Sequence, residues 1–206
     1  MRKITMVLLI VGLFLIPTTM IPLTHATPVP PVLPPPDNPG DIIFSECGNI
    51  LLIRQWDHAL IFTEDRPGHS GTTWGIEADP HTYPEEEDGI VEWTTLAGVR
   101  EEYPDGIAYG IVDTSQTIRN KAIEFSEDKI NKSFDYLSYW VLFRKDVDGT
   151  WPAYKSKYYC TELVWASYRK HGVQLDPDGD QGRITPNELY YNTDKITISD
   201  EWGEMS

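Results

Sequence analysis

Cysteine is scarce in this chain: Cys47 and Cys160 are the only two among 206 residues. With no pair of histidines spaced to join them, they do not form a zinc pattern, whose ligands recur at short intervals. Two readings remain for the sulfur. One is a single disulfide, the default in an exported chain. The other is a thiol that performs chemistry. Positive charge is scarce as well, with 17 Lys and Arg against 32 Asp and Glu and a formal net charge of −15. That balance argues against nucleic acid and against anionic lipid surfaces as partners. No internal repeat is present. The one long apolar run, Met6 to Ile16, is followed by Pro17, Thr18, Thr19 and Pro22. It falls short of the roughly 20 residues that a spanning helix needs.

What is present begins with a leader. Arg2 and Lys3 form a basic start, the apolar run follows, and Thr24-His25-Ala26 offers small residues for a peptidase. Residues 1–26 therefore read as a secretory signal, and the expected location is secreted or cell-surface. The alternative is an uncleaved anchor, which would be the chain's only contact with a membrane. Removing the leader leaves 15 basic residues against 32 acidic ones, a net charge of −17. Residues 27–39 form a proline-rich linker that cannot pack a core. The folded domain is expected over residues 40–206.

Lys157 to Gly172 holds the most informative pattern. Leu163, Val164, Ser167 and Tyr168 recur at helical spacing, Lys170 and His171 suit the negative end of the dipole, and Gly172 is a natural exit. The helix opens at Cys160. A thiol there lies among unpaired N–H groups at the positive end of the dipole, which favours the thiolate that attacks carbonyls. Cys160 is therefore the candidate nucleophile.

A nucleophilic cysteine needs a base, a group that orients the base, and donors for an oxyanion. Of five histidines, His25 lies in the leader, His69 and His81 in turn-rich segments, and His171 at the far end of the thiol helix. His58 lies on an apolar strand, Asp57 to Thr63, whose alternation puts His58, Leu60 and Phe62 on one face and Ala59 and Ile61 on the other. The strand from Thr72 to Ala78 puts Gly75 and Glu77 on one face and Trp74, Ile76 and Ala78 on the other. Glu77, Asp57 and Asp79 are candidates to orient the imidazole, with Glu77 the one inside a strand. Tyr136 and Tyr159 are candidates for contacts around the oxyanion or substrate, with packing as the bland alternative.

Other elements follow the same rules. Gly40 to Phe44, Asn49 to Trp56, Ile90 to Thr95, Ile107 to Val112 and Lys195 to Ser199 read as strands. Gln116 to about Ile130 reads as a helix with Ile118, Ala122, Phe125 and Ile130 inward and Arg119, Lys121, Glu127 and Asp128 outward. Phe134 to Phe143 is an aromatic stretch, and Thr185-Pro-Asn-Glu-Leu189 opens a short helix with Pro in its first turn. The Asp146–Gly149 and Asp176–Asp180 stretches resemble calcium loops. The second fails the EF-hand pattern, because Gly182 stands at the seventh place and Asn187 where the bidentate glutamate belongs. No metal and no cofactor is expected.

Six blocks in order, Gly40-Asp-Ile-Ile-Phe44, Asp57-His-Ala-Leu-Ile61, Ile76-Glu-Ala78, Phe134-Asp-Tyr136, Tyr158-Tyr-Cys-Thr-Glu-Leu-Val164 and Thr185-Pro-Asn-Glu-Leu189, resemble the circularly permuted papain-like amidases of the YiiX/YaeF type. These belong to the NlpC-like papain superfamily, which also has a lecithin–retinol acyltransferase branch. The histidine strand comes first and the cysteine helix late, the reverse of unpermuted members. The resemblance implies an α+β fold with an antiparallel sheet packed against the cysteine helix. It also implies Cys160 as nucleophile, His58 as base and Glu77 as third member, with Tyr136 near the oxyanion. Thr161 departs from the serine usual after the cysteine, and Cys47 has no counterpart in the motif.

The expected function is an exported cysteine hydrolase acting on amide bonds of cell-wall peptides or other small amides. Within the same chemistry, the alternative is an acyl hydrolase or acyltransferase on lipids. From other classes, the rivals are a disulfide-stapled binding module using Tyr136, Tyr139 and Trp140, and a calcium-stabilised surface protein.

Overall fold

In the computed structural model, the described residues are 34–46, 56–64, 74–80, 89–135, 157–179 and 184–203. All lie within one structural unit, Leu33–Ser206. The leader, most of the linker, Cys47, the segments 49–55 and 66–71, Tyr136 with the aromatic stretch after it, the Asp146–Gly149 loop and Asp180 to Gly182 lie outside them.

The fold is α+β. Eight strands form one sheet: β1 Ile42–Glu46, β2 His58–Phe62, β3 Trp74–Asp79, β4 Ile90–Thr95, β5 Gly106–Val112, β6 Ser133–Phe134, β7 Lys157–Tyr158 and β8 Ile196–Gly203. Their order across the sheet is β7-β6-β4-β3-β2-β1-β5-β8. Every neighbouring pair is antiparallel except β6 with β7. Among the described residues four helices accompany it: α1 Leu96–Glu102, α2 Gln116–Glu127, α3 Cys160–Arg169 and α4 Pro186–Tyr190.

The central strands are buried at every position because both sheet faces are covered. Ile42, Phe44, Ala59, Ile61, Ile76 and Ala78 point into one core, shared with Leu163, Val164 and Trp165 of α3 and Ala122 and Phe125 of α2. Ile43, Leu60, Phe62, Ile107 and Tyr109 point into a second core, with Leu96 and Val99 of α1 and with Tyr103 packed against it. The alternation expected for β2 and β3 thus holds, with Leu60 and Phe62 opposed to Ala59 and Ile61. Helix α3 is buried at every position from Cys160 to Tyr168 and packs on α2, β2 and β3.

Two differences from the sequence reading have clear causes. Arg119 was expected to face outward, yet it is buried. Its guanidinium donates to the Val112 carbonyl at 2.6 Å and pairs with Asp41 at 3.5 Å. Burial pushes the Asp41 carboxyl above its ordinary range, and the Arg119 charge works against that rise. The charge is therefore buried because a partner is, which helical periodicity cannot reveal. The chain is also already tied to the fold before Gly40. Asn38 N–H donates to Asp41 at 3.2 Å, and the Pro39 carbonyl accepts from Gln116 at 2.8 Å. Gly40 turns with φ of +92°, its carbonyl accepts from the Tyr168 hydroxyl, and its N–H bonds Phe62 O at 2.7 Å. A side chain would be strained at that φ.

Candidate active site

Cys160 sits where a strand becomes a helix. Strand β7 ends at Tyr158, Tyr159 holds extended angles (φ −100°, ψ 168°) as the N-cap, and Cys160 is the first helical residue. The Tyr159 side chain makes no capping bond to the first turn of the helix. No side chain from the cap position thus competes for the first-turn N–H groups, which is what a developing negative charge requires. The Cys160 thiol is free.

The loop before α4 holds this junction. Thr161 donates its hydroxyl to Ile184 O at 2.7 Å, and Ile184 N–H donates to the Tyr159 hydroxyl at 3.0 Å. Tyr159, a candidate for the oxyanion, accepts the Ile184 N–H through its hydroxyl oxygen and so anchors Ile184. Thr185 then closes a capping box with Glu188, with Pro186 in the first turn. In the same turn Asn187 accepts the Trp56 N–H at 3.0 Å, two residues before His58. One short segment therefore braces both the start of the cysteine helix and the entry to the histidine strand. Sequence reasoning identified the helix start but not the brace, because Asn187 acts across the fold.

His58 opens β2 and Glu77 lies near the end of β3. The β2–β3 ladder aligns Ile61 with Ile76 and Phe62 with Gly75. Parity places Leu60, His58, Gly75 and Glu77 on one face, so the two side chains are neighbours. His58 Nε2 and Glu77 Oε2 are 2.6 Å apart, and both residues are buried. Of the candidate orienters, Glu77 makes the contact to His58 Nε2, and Asp57 is anchored through its backbone N–H to Ser45 O at 3.0 Å. Asp79 is buried at the end of β3 and adds negative charge to the surroundings of Glu102 and Tyr103.

The Cys160 side chain lies close enough to the imidazole to act on its charge. Burial works against a charge on His58, but the interactions with Cys160 and Glu77, and the negative charges of both, outweigh it. Its pKa is held well above the ordinary 6.5. The structure thus brings Cys160, His58 and Glu77 together in one chain of contacts, while Tyr136 lies outside the described residues. Among the described residues, no group of three or more His, Cys, Asp and Glu side chains converges as a metal site.

A stability prediction follows from the raised His58 pKa. The folded state keeps a proton that the unfolded state releases near pH 6.5. The resulting stabilisation is fully present below 6.5 and is lost as pH rises through the higher folded value. Thermal melts across neutral to alkaline pH should show wild-type Tm falling over that window. The fall should be shallower in His58→Gln. Equal slopes would mean that His58 carries no raised pKa.

No family model and no curated protein matches the chain. Among solved structures, it is similar to metalloprotein yiiX from Escherichia coli O157:H7, at 14% sequence identity and a TM-score of 0.55. The match spans 81% of this chain and 98% of that one. At that identity the likeness is one of fold alone.

Proposed function

We propose that this chain is a cysteine hydrolase of amide bonds, built on a circularly permuted papain-like fold and acting outside the cytoplasm. One observation carries the reading: a buried imidazole is bonded to a carboxylate at 2.6 Å and lies within electrostatic reach of a free thiol at the start of a helix.

The roles follow from the contacts. Cys160 Sγ attacks the substrate carbonyl as a thiolate whose proton already rests on His58, the imidazole held charged by Glu77 and the sulfur. Backbone N–H at the start of α3, that of Cys160 foremost, meets the oxyanion. His58 then gives the proton to the departing amine, the C–N bond breaks, and an acyl thioester remains on Cys160. A water deprotonated by His58 attacks the thioester, releasing the acid and restoring the thiol. Glu77 holds the ring orientation and favours the imidazolium that forms.

The substrate class is small amides, cell-wall peptides among them, and the leader pattern supports an exported location. The thiol of Cys160 counts against a disulfide-stapled module, which would require that sulfur to be bonded to Cys47. The fold neighbour is a metalloprotein. His58 Nε2 is given to Glu77 Oε2 at 2.6 Å, and among the described residues no group of three or more His, Cys, Asp and Glu side chains could hold an ion. No step is assigned to a metal.

The test is capture of the thioester. Purified protein is mixed with a panel of peptide amides and lipid esters, quenched in acid and examined by mass spectrometry. An acyl adduct on Cys160 from an amide supports the reading. Adducts from lipid esters alone would shift it to acyl transfer, and turnover with no adduct in wild type, retained in Cys160→Ser, would overturn it.

A further inference from the structure

The His58 ring has a third neighbour that neither nitrogen contacts. Tyr103 lies flat against it, with ring centroids 5.0 Å apart and planes 9° from parallel. Tyr103 is the C-cap of α1, with non-helical angles (φ −119°, ψ 75°), and its N–H donates to Val99 O at 2.8 Å. Its side chain packs against the core on the His58 side of the sheet. The ring is thus fixed at two points, by the cap and by the apolar packing.

Resting on the proposed hydrolase, we infer that Tyr103 is a positioning residue that locks the plane of the His58 imidazole and keeps water from its bond to Glu77. The physical need is specific. The terminal torsion of histidine is broad, so nothing intrinsic sets the ring plane. The nitrogen that meets Glu77 lies in that plane, so a small rotation weakens the contact. A flat aromatic face at stacking distance blocks that rotation. It also removes water from one side of the short Nε2–Oε2 contact, and a drier setting strengthens the bond. The charged or titratable groups around the stacked pair are Glu77 and Asp79 of β3, Glu102 of α1 and Cys160 of α3. Burial, followed by the charges of Glu102 and Glu77, holds the Tyr103 hydroxyl far above its ordinary range, so it stays protonated.

The test uses alkylation of Cys160 by iodoacetamide across pH, with the site of modification mapped by mass. Tyr103→Phe keeps the ring and should retain the wild-type rate within about threefold. Tyr103→Leu keeps bulk without a flat face, and should lower the rate near pH 6 by about 10-fold and move the acid limb of the profile upward. Tyr103→Met carries the same expectation should the leucine variant melt too low to assay. A merely structural role for the ring would shift Tm and leave the pH profile in place. Superimposable profiles for wild type and the folded Leu or Met variant would overturn the inference. A wild-type thiol no faster near pH 6 than free glutathione would instead overturn the hydrolase reading on which it rests.

Discussion

Cys160→Ser should abolish hydrolysis of any amide substrate found for this protein, with a loss on the order of 10⁴-fold or more in kcat/KM. The substitution exchanges sulfur for oxygen in a buried position and alters little else in shape. What it removes is a nucleophile that one imidazole can ionise. A hydroxyl holds its proton far more tightly than a thiol, and a site formed around sulfur does not supply the difference. Melting should stay close to wild type, since Cys160 has no covalent partner and its neighbours are unchanged. The measurement is turnover by both proteins on the substrate that yields the thioester. Equal rates would remove Cys160 from the chemistry.

Glu77 should show a graded effect. Glu77→Leu removes the acceptor at 2.6 Å from His58 Nε2 and should reduce kcat/KM on the order of 10³-fold. In serine triads, loss of the orienting carboxylate costs about 10⁴-fold, and a smaller figure is expected here because a thiol ionises more readily than a hydroxyl. Glu77→Gln should fall between wild type and leucine. Its amide oxygen can still accept from the ring, so orientation survives, but the charge that supports the imidazolium is gone. The buried site makes that charge matter, since little water is present to replace it. Rates in the order wild type, glutamine, leucine are the expected result. A leucine variant as active as wild type would show that the carboxylate does not hold the base.

Much of this arrangement was legible along the chain because it rests on local rules. The start of α3 at Cys160 follows from the apolar spacing after it, and Gly172 takes the left-handed turn expected of an exit, with φ of +86°. The common face of His58 and Glu77 follows from period two in adjacent strands, and β4 has the limits its composition implies. The capping pair Thr185 and Glu188 is present as the pattern reads.

The rest was hidden for physical reasons. Helix α1 is seven residues with Gly98 inside it, too short for a period to emerge, and with it went Tyr103, whose role depends on a contact across the fold. Helix α2 ends at Glu127 rather than near Ile130, because the chain turns over residues 128–131. Strand β8 runs on to Gly203, past the Ser199 limit that its apolar residues suggest, because its outer residues are polar and an edge strand has only one neighbour to satisfy. Nor can any local rule place a cysteine helix beside a strand some hundred residues earlier in the chain. That meeting comes from α3 packing on β2 and β3.

The central claim is that His58 activates Cys160. It is tested most directly by the rate at which iodoacetamide modifies Cys160 near pH 6, compared between wild type and His58→Gln in a background with Cys47 replaced. An ordinary thiol with a pKa of about 8.5 is only about 0.3% ionised at that pH and reacts slowly. The account predicts fast modification in wild type and a drop on the order of 10²-fold when the imidazole is removed. Identical rates in the two proteins across the acid range would contradict it.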